Sequence, residues 1–221
     1  MGHWQPLSTP AGTLHAWRED PEGPPRGAVV VVQEIFGVTD HIRAVCARLA
    51  AAGFVALAPA FFDPLAPGSV LPYDDAGTAR GRALVEQLGM DRALAITAAA
   101  AESLRAQGLT VGIAGFCWGG TVALLGNTRL GLPAVSFYGA RNVQYLDEPA
   151  QAPLMFHFGA EDPLIPLDAV ETHRRKQPQA LVHVYPEAGH AFLREPEPPW
   201  HPQAAALAWQ RTLDFLKEHL Q

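Results

Sequence analysis

The sequence predicts an α/β fold, an open and doubly wound sheet of mostly parallel strands flanked by helices, without a large cap domain. A chain of 221 residues fits one domain, which we expect to span residues 1–221. Hydrophobic residues make up 48% and charged residues 17%, as in globular proteins. Short apolar runs alternate with longer helical patterns, and this alternation is typical of strands joined by crossover helices.

Six apolar runs are the strand candidates. Several are apolar nearly throughout, as expected for strands that are covered on both faces of a parallel sheet. Sheets of this kind bind their ligands at the carboxyl ends of the strands. The runs are Ala28–Val32, Phe54–Ala58, Val111–Phe116, Ala134–Tyr138, Leu154–Phe158 and Leu181–Tyr185.

Helical patterns occupy several of the intervals between these runs. In Asp40–Ala52 the apolar residues, Cys46 among them, recur with spacings of three and four. Asp91–Gln107 is rich in alanine and leucine and stops before Gly108, a residue typical of helix ends. Near the C-terminus we expect one buried stripe, made of Ala206, Trp209, Leu213, Leu216 and Leu220.

Charge and composition exclude several classes of function. The formal net charge is −6 and no run of Lys and Arg stands out, so we expect no nucleic-acid partner. The apolar stretches fall short of the roughly 20 residues that cross a membrane, and the first residues lack a secretory pattern. Two cysteines form no disulfide framework, which favours a cytoplasmic protein. The His and Cys spacings predict no metal site, and we expect no cofactor.

The most specific signal is Gly115-Phe116-Cys117-Trp118-Gly119-Gly120, which follows a strand candidate and precedes a helical pattern at Thr121–Asn127. A Gly-x-nucleophile-x-Gly run between strand and helix makes a sharp turn that lifts the nucleophile above the sheet. A Cβ at position 115 or 119 would clash with neighbouring backbone, and the N–H groups that begin the helix favour a thiolate. We predict that Cys117 is a nucleophile, against the alternative of a buried structural cysteine, and that Cys46 is a core residue.

An acid and a histidine follow downstream, each in a loop after a strand candidate. Asp162 follows Leu154–Phe158, and His190 follows Leu181–Tyr185. The chain order nucleophile, acid, histidine is that of serine and cysteine hydrolases with this type of turn, so His190 would transfer protons while Asp162 orients its imidazole. Glu161, the neighbour of Asp162, is the alternative orienting acid. His157 lies inside a strand candidate and is interpreted as a hydrogen-bonded sheet residue.

Four motifs in order resemble the dienelactone hydrolases (carboxymethylenebutenolidases), a family of α/β-hydrolases. The resemblance runs from about residue 28 to the C-terminal helix. It implies the α/β-hydrolase fold and a carboxylic ester hydrolase. The motifs are Gln33-Glu34-Ile35-Phe36-Gly37, Gly115-Phe116-Cys117-Trp118-Gly119-Gly120, Glu161-Asp162-Pro163 and Gly189-His190-Ala191-Phe192.

The resemblance implies further roles that composition does not. Glu34 would bond to the resting thiol and take part in its activation when substrate arrives. The backbone N–H groups of Ile35 and Trp118 would form the oxyanion hole. Arg194 and Arg82 would bind a substrate carboxylate, with Arg80 as the alternative to Arg82.

The sequence also departs from the family pattern. The segment 80–87 lacks the aromatic pattern of the family's best-known members and is shorter. Position 191 is alanine where a small hydroxyl residue is common. These differences leave the nucleophile, acid and histidine intact.

The predicted reaction is cleavage of a lactone or activated ester, dienelactone-like, through a thioester acyl-enzyme. The expected partner is a small-molecule lactone or ester substrate, which would be anionic where the arginines bind a carboxylate, and we expect a monomer or small homo-oligomer. A general short-chain carboxylesterase is the alternative within the enzyme class. A thiol redox protein acting through Cys117 and a binding module without catalysis are the alternatives outside it.

Overall fold

The structure, a computed structural model, describes residues 2–196 and 199–220, which divide into two compact units. The first unit comprises residues 2–112 and Leu220, and the second comprises the described residues from Ile113 to His219. Each unit combines strands with helices, which confirms the predicted α/β class. The assignment of one domain to residues 1–221 stays a prediction. Among the described residues, no helix is both long and apolar enough to span a membrane.

The first unit contains β1 (His3–Thr9), β2 (Gly12–Glu19), β3 (Gly27–Val32), α1 (Asp40–Ala51), β4 (Phe54–Pro59) and α2 (Asp75–Arg105). Its strands lie in the order β1-β2-β4-β3, with β3 parallel to β4 and β2 antiparallel to both of its neighbours. The predicted strands β3 and β4 are buried throughout. Sequence analysis did not predict β1 and β2, because most of their side chains are polar or exposed and form no apolar run.

Helix α1 buries the stripe that its spacing predicts. Ile42, Val45, Cys46 and Leu49 are all in the core. Burial, with a smaller contribution from the charge of Glu19, raises the pKa of the Cys46 thiol far above its usual range. The prediction that Cys46 is a core residue is therefore confirmed.

Helix α2 is longer than the sequence predicts because it contains two helical segments. The predicted helix from Asp91 corresponds to the second segment, which ends at Arg105. Gly89 separates the segments with φ 74° and ψ 159°, a conformation outside the helical region. The first segment begins at Asp75 and is capped by Asp74, whose carboxylate accepts a hydrogen bond from the N–H of Gly77 at 2.7 Å.

The second unit contains β5 (Val111–Phe116) from Ile113 onward, together with α3 (Trp118–Leu130), β6 (Ala134–Phe137), a 3₁₀ turn (Asn142–Tyr145), β7 (Leu154–Gly159), α4 (Leu167–Lys176), β8 (Leu181–Tyr185) and α5 (Pro202–His219). Its strands are parallel, in the order β5-β6-β7-β8. The predicted strands are all present. Strand β6 ends one residue earlier than predicted, because Tyr138 leaves it with a φ of 40°.

The buried face of α5 differs from the predicted stripe. Ala206 is exposed and Leu213 is half-buried, so their assignment to the core was wrong. The buried face is shifted by one residue, because Thr212 is hydrogen-bonded to a side chain beneath the helix and is fully buried. The core residues of this helix are Ala204, Ala205, Ala208, Trp209, Thr212, Phe215 and Leu216.

The partner of Thr212 is His157 on β7, and the hydrogen bonds fix the histidine tautomer. Thr212 donates to the carbonyl of Ala208 at 2.9 Å, so it accepts from Nε2–H of His157 at 3.1 Å. Nδ1 of His157 then accepts from the hydroxyl of Tyr185 at 2.8 Å, and Arg211 donates to that hydroxyl at 3.2 Å. The interpretation of His157 as a hydrogen-bonded sheet residue is confirmed.

Buried neutral histidines predict a fold that loses stability in acid. Burial, followed by the positive charges of His183 and Arg211, lowers the pKa of His157 well below its usual range. The unfolded chain binds this proton near pH 6.5, so stability is fully present above that pH and is lost as the pH falls below it. We expect His157→Gln to reduce the slope of unfolding free energy between pH 6 and 5 by about 1.4 kcal/mol per pH unit.

Urea unfolding at several pH values measures this slope. The matched control is His3→Gln, because His3 is exposed on β1. A slope that is unchanged in His157→Gln, or reduced equally in both variants, would contradict the assignment.

Candidate active site

Cys117 lies on a tight bend between β5 and α3. Its φ of 55° and ψ of −116° belong to a region that residues other than glycine rarely adopt. Two backbone hydrogen bonds hold this strained conformation. The N–H of Cys117 donates to the carbonyl of Phe137 at 3.0 Å, and its carbonyl accepts from the N–H of Gly120 at 2.9 Å. The side chain is half-buried, so the bend leaves the sulfur partly open to solvent.

Glycines permit the close approach of strand and helix at this bend. A Cβ added to Gly115 would lie 1.9 Å from the carbonyl oxygen of Gly119. One added to Gly120 would lie 2.7 Å from the carbonyl oxygen of Phe137. Both obstacles are backbone atoms, which cannot rotate away as a side chain does. The glycines at positions 115 and 120 are therefore a steric requirement of the bend.

We expect Gly115→Ala to lower the free energy of unfolding by about 3 kcal/mol, because the strand and the first turn of α3 must separate to admit the methyl group. Urea denaturation measures the loss. The control is Gly23→Ala, since a Cβ at Gly23 meets nothing within 4 Å, and its effect should stay within about 0.5 kcal/mol. Equal stabilities for the two variants would show that the bend tolerates a side chain.

Asp162 and His190 meet through a short hydrogen bond between two adjacent loops. Nδ1 of His190 lies 2.8 Å from Oδ2 of Asp162. The other carboxylate oxygen accepts the N–H of Leu164 at 2.8 Å, which fixes the Asp162 side chain. Asp162 is buried, whereas Glu161 is exposed. The structure thus brings Asp162 to the imidazole.

Backbone hydrogen bonds hold these two loops together. The N–H of Ala160 donates to the carbonyl of Tyr185 at 2.9 Å, and the N–H of Glu161 donates to that of Ala188 at 2.9 Å. A Cβ at Gly159 would lie 2.2 Å from the carbonyl oxygen of Ala188, so glycine is needed there as well. The position of His190 relative to Asp162 is therefore fixed by main-chain geometry.

The surroundings of His190 favour its protonated form. Burial is the largest influence and lowers its pKa. Hydrogen bonding to Asp162, interaction with the Cys117 sulfur and the negative charges of both groups outweigh burial and raise the pKa of His190 to about 10. Nε2 makes no hydrogen bond of standard geometry to a described residue, although Cys117 is near enough to influence the imidazole. Because Nδ1 is engaged by Asp162, Nε2 is the nitrogen left for the sulfur.

Tyr138 is a residue of this site that sequence analysis did not single out. It follows β6 directly with a φ of 40°, and its buried ring lies 5.2 Å from the His190 imidazole in an edge-to-face arrangement. Phe192 packs against the same ring at 5.5 Å. These contacts restrict rotation of the imidazole. The available signal was an aromatic residue before Gly139 at the carboxyl end of an apolar run.

In the first unit, Glu34 and Ile35 follow β3 in a tightly held loop. Glu34 is buried and Ile35 is half-buried. The buried side chain of Gln33, which sequence analysis also did not single out, donates to the carbonyl of Glu34 at 3.3 Å and accepts the N–H of Phe61 at 3.2 Å. A Cβ at Gly81 would lie 2.1 Å from the carbonyl oxygen of Ile35. Packing on both sides therefore fixes this backbone.

The remaining predicted residues lie on two different elements and one loop. Trp118 is the first residue of α3, where backbone N–H groups point along the helix axis away from the helix. Arg80 and Arg82 are exposed on α2. Arg194 is half-buried in the turn after His190, and its N–H donates to the carbonyl of Ala191 at 2.9 Å. Their roles toward substrate stay predictions.

The described residues contain no group of three or more His, Cys, Asp or Glu side chains that could hold a metal ion. Among the described residues of the second unit, the candidate site has the thiol of Cys117, the imidazole of His190 and the carboxylate of Asp162. This set can supply a nucleophile and a proton carrier.

Comparison with known proteins gives the family. The sequence pattern of the dienelactone hydrolase family matches residues 14–220. The chain belongs to the dienelactone hydrolase family. A protein of Escherichia coli strain K12, named provisionally as a carboxymethylenebutenolidase, is 35% identical over 93% of this chain and 81% of its own. The carboxymethylenebutenolidase of Pseudomonas putida is 32% identical over 92% of this chain and 91% of its own.

Solved structures agree with this assignment. The crystal structure of a provisionally named dienelactone hydrolase from Klebsiella pneumoniae matches with a TM-score of 0.87 and 31% identity, covering 97% of both chains. A dienelactone hydrolase-like promiscuous phosphotriesterase from metagenomic libraries matches with a TM-score of 0.79 and 25% identity, covering 100% of this chain and 99% of that one. The predicted family, its α/β-hydrolase fold and a carboxylic ester hydrolase are confirmed.

Proposed function

We propose that this member of the dienelactone hydrolase family cleaves a small lactone or activated ester with Cys117 as nucleophile, through a thioester acyl-enzyme. The main support is the 2.8 Å hydrogen bond between His190 and Asp162, in an imidazole that also interacts with the sulfur on the bend. A half-buried thiol, an oriented imidazole and a buried acid are what nucleophilic acyl transfer requires.

In the acylation step, the sulfur attacks the carbonyl carbon and the carbonyl electron pair moves onto oxygen. The tetrahedral intermediate then expels the ring or alcohol oxygen, and Nε2–H of His190 protonates this leaving group. The raised pKa of His190 suits this role, because the imidazole holds a proton at neutral pH. Stabilisation of the oxyanion by the N–H groups of Ile35 and Trp118 stays a prediction from the family.

In the deacylation step, neutral His190 removes a proton from water, which attacks the thioester and releases the acid and the thiolate. Asp162 accepts Nδ1–H throughout and keeps Nε2 as the reacting nitrogen. A role for Glu34 in storing a neutral thiol until substrate arrives also stays a prediction. The cycle needs no cofactor, since each proton and electron pair is supplied by these groups, the ester and water.

The substrate class follows from the nucleophile and from the family. A thiolate is a better leaving group than an amine, so amides should be poor substrates. Relatives are named carboxymethylenebutenolidases, and we infer a similar lactone for this chain. Arg194, with Arg82 or Arg80, would bind an anionic substrate as a guanidinium binds a planar carboxylate. A general short-chain carboxylesterase would show no preference for such a charge.

A hydrolysis panel tests the proposal. We expect dienelactone and p-nitrophenyl acetate to be cleaved at least about 100-fold faster than p-nitroacetanilide, since the amide nitrogen leaves poorly. Mass spectrometry after a rapid quench should find the acyl group on Cys117. Equal rates on ester and amide, or acylation elsewhere, would overturn the mechanism.

Arg194→Ala should slow the hydrolysis of dienelactone but not that of neutral esters. Arg92→Ala is the matched control, because Arg92 is exposed on a helix. Equal slowing of dienelactone and neutral-ester hydrolysis in Arg194→Ala would favour the carboxylesterase.

A further inference from the structure

A cleft in the first unit serves no step of the proposed hydrolysis. Its volume is about 420 Å³, within the range of small-ligand sites. Trp4, Val38, Ala60 and Val70 supply apolar walls. Trp4 is 43% exposed and Val70 is 55% exposed, so two large apolar side chains are held at a rim that water reaches.

The indole of Trp4 is held in place by the β1–β2 hairpin. Trp4 pairs with Trp17 across the two strands, and the two rings meet edge to face with centroids 5.5 Å apart. The guanidinium of Arg43 covers Trp17 at 5.4 Å. A ring fixed in this way loses little entropy when a ligand stacks on it.

A histidine and a buried carboxylate supply the polar group of the cleft. Asp63, with a side chain only 6% exposed, accepts three hydrogen bonds. They come from the N–H of His15 at 2.9 Å, from Nδ1 of His15 at 3.0 Å and from the N–H of Gly68 at 2.9 Å. When His15 is neutral, a carboxylate that only accepts requires the imidazole proton to be on Nδ1. Nε2 is then a hydrogen-bond acceptor, on a side chain that is 68% exposed.

We infer that this cleft is a binding site for small neutral phenols. The aromatic ring would lie against Trp4 and Val70, and the hydroxyl would donate to Nε2 of His15. Apolar walls favour a ring, and an acceptor nitrogen favours a donor group. Asp63 behind the imidazole, in a chain of net charge −6, disfavours a carboxylate ligand. All the lining residues belong to the first unit, so the inference does not depend on Cys117.

Titration with 4-methylphenol at pH 8, followed by NMR at the Trp4 indole N–H, tests the inference. The Trp4→Phe variant assigns this signal. We expect saturable binding with a Kd on the order of 1 mM. The matched ligand 4-methylanisole, which lacks the donor, should bind at least about tenfold more weakly. His15→Leu should remove the difference between the ligands, and Val70→Asp should weaken both.

The control variant is His3→Leu, because His3 is exposed on the same strand as Trp4 and points to the opposite face. It should leave both affinities unchanged. Three results would overturn the inference. They are absence of saturable binding, a preference for the hydroxyl ligand that survives His15→Leu, and 4-methylphenol binding that shifts other NMR signals but leaves the Trp4 indole N–H unchanged.

Discussion

Replacement of Cys117 by alanine should lower kcat/KM for ester hydrolysis by at least about 10⁴-fold, because no other group in the site can form the thioester. The substitution removes only the sulfur of a half-buried side chain and keeps the Cβ at the same φ of 55°, so the free energy of unfolding should change little. Steady-state assays with p-nitrophenyl acetate, together with urea denaturation of the same preparations, separate loss of chemistry from loss of fold.

Cys46→Ala is the matched control for this experiment. Its sulfur is fully buried in α1, where burial raises the thiol pKa and suppresses reactivity. We expect a loss of stability with activity retained per folded molecule. Near-normal turnover in Cys117→Ala, or a comparable loss of turnover in Cys46→Ala, would remove Cys117 from the role of nucleophile. A His190→Ala variant would separate hydrolysis from a redox function of Cys117, since only hydrolysis requires His190 as proton carrier.

The site was predictable where a local motif dictates backbone geometry. Gly115 is required because a Cβ would strike the carbonyl of Gly119, and such a requirement is visible in the sequence as a glycine at a fixed distance from Cys117. Asp162 and His190 were predictable by a second route. Each follows a strand of a parallel sheet, and the carboxyl ends of adjacent parallel strands lie at the same edge.

Residues that act through tertiary contacts left no such signal. In the sequence, Tyr138 is the last residue of an apolar run. Only its φ of 40° in the structure turns its ring toward His190. Gln33 belongs to the motif at 33–37, but a polar side chain at a strand end is ordinarily solvated, so its inward hydrogen bonds were not predicted. The shift of the buried face of α5 depends on the bond from His157 to Thr212, which joins residues 55 positions apart. Periodicity within a helix cannot contain that information.

The hairpin β1–β2 was missed for a different reason. A strand that is covered on one side by few apolar residues lacks both the continuous apolar run and the regular alternation that identify strands. Two of its apolar side chains, Trp4 and Trp17, pair with each other across the strands. Cross-strand pairing of this kind stabilises a hairpin without marking either strand by itself.

Asp162→Asn should lower kcat/KM by about 10³-fold, with the fold intact. The amide would no longer favour the tautomer that carries its proton on Nδ1 of His190, and its neutral charge would no longer stabilise the imidazolium. Burial is the largest influence on the pKa of His190 and lowers it, and Asp162 is one of the two groups whose interactions raise that pKa. The pKa of His190 should therefore fall from about 10 toward neutrality in the variant.

The pH profile separates this role from a structural one. In the wild type, His190 holds its proton below about pH 10, so acylation should decline only as the pH rises through that value. In Asp162→Asn the decline should begin at lower pH. Replacement of a residue that only supported the fold would lower the rate without shifting the alkaline limb of the pH–rate profile. Glu161→Gln is the matched control, since Glu161 is adjacent but exposed, and it should change neither rate nor profile. If Glu161→Gln moves the limb and Asp162→Asn does not, the orienting acid is Glu161, because only the group that bears on the imidazole can shift its titration.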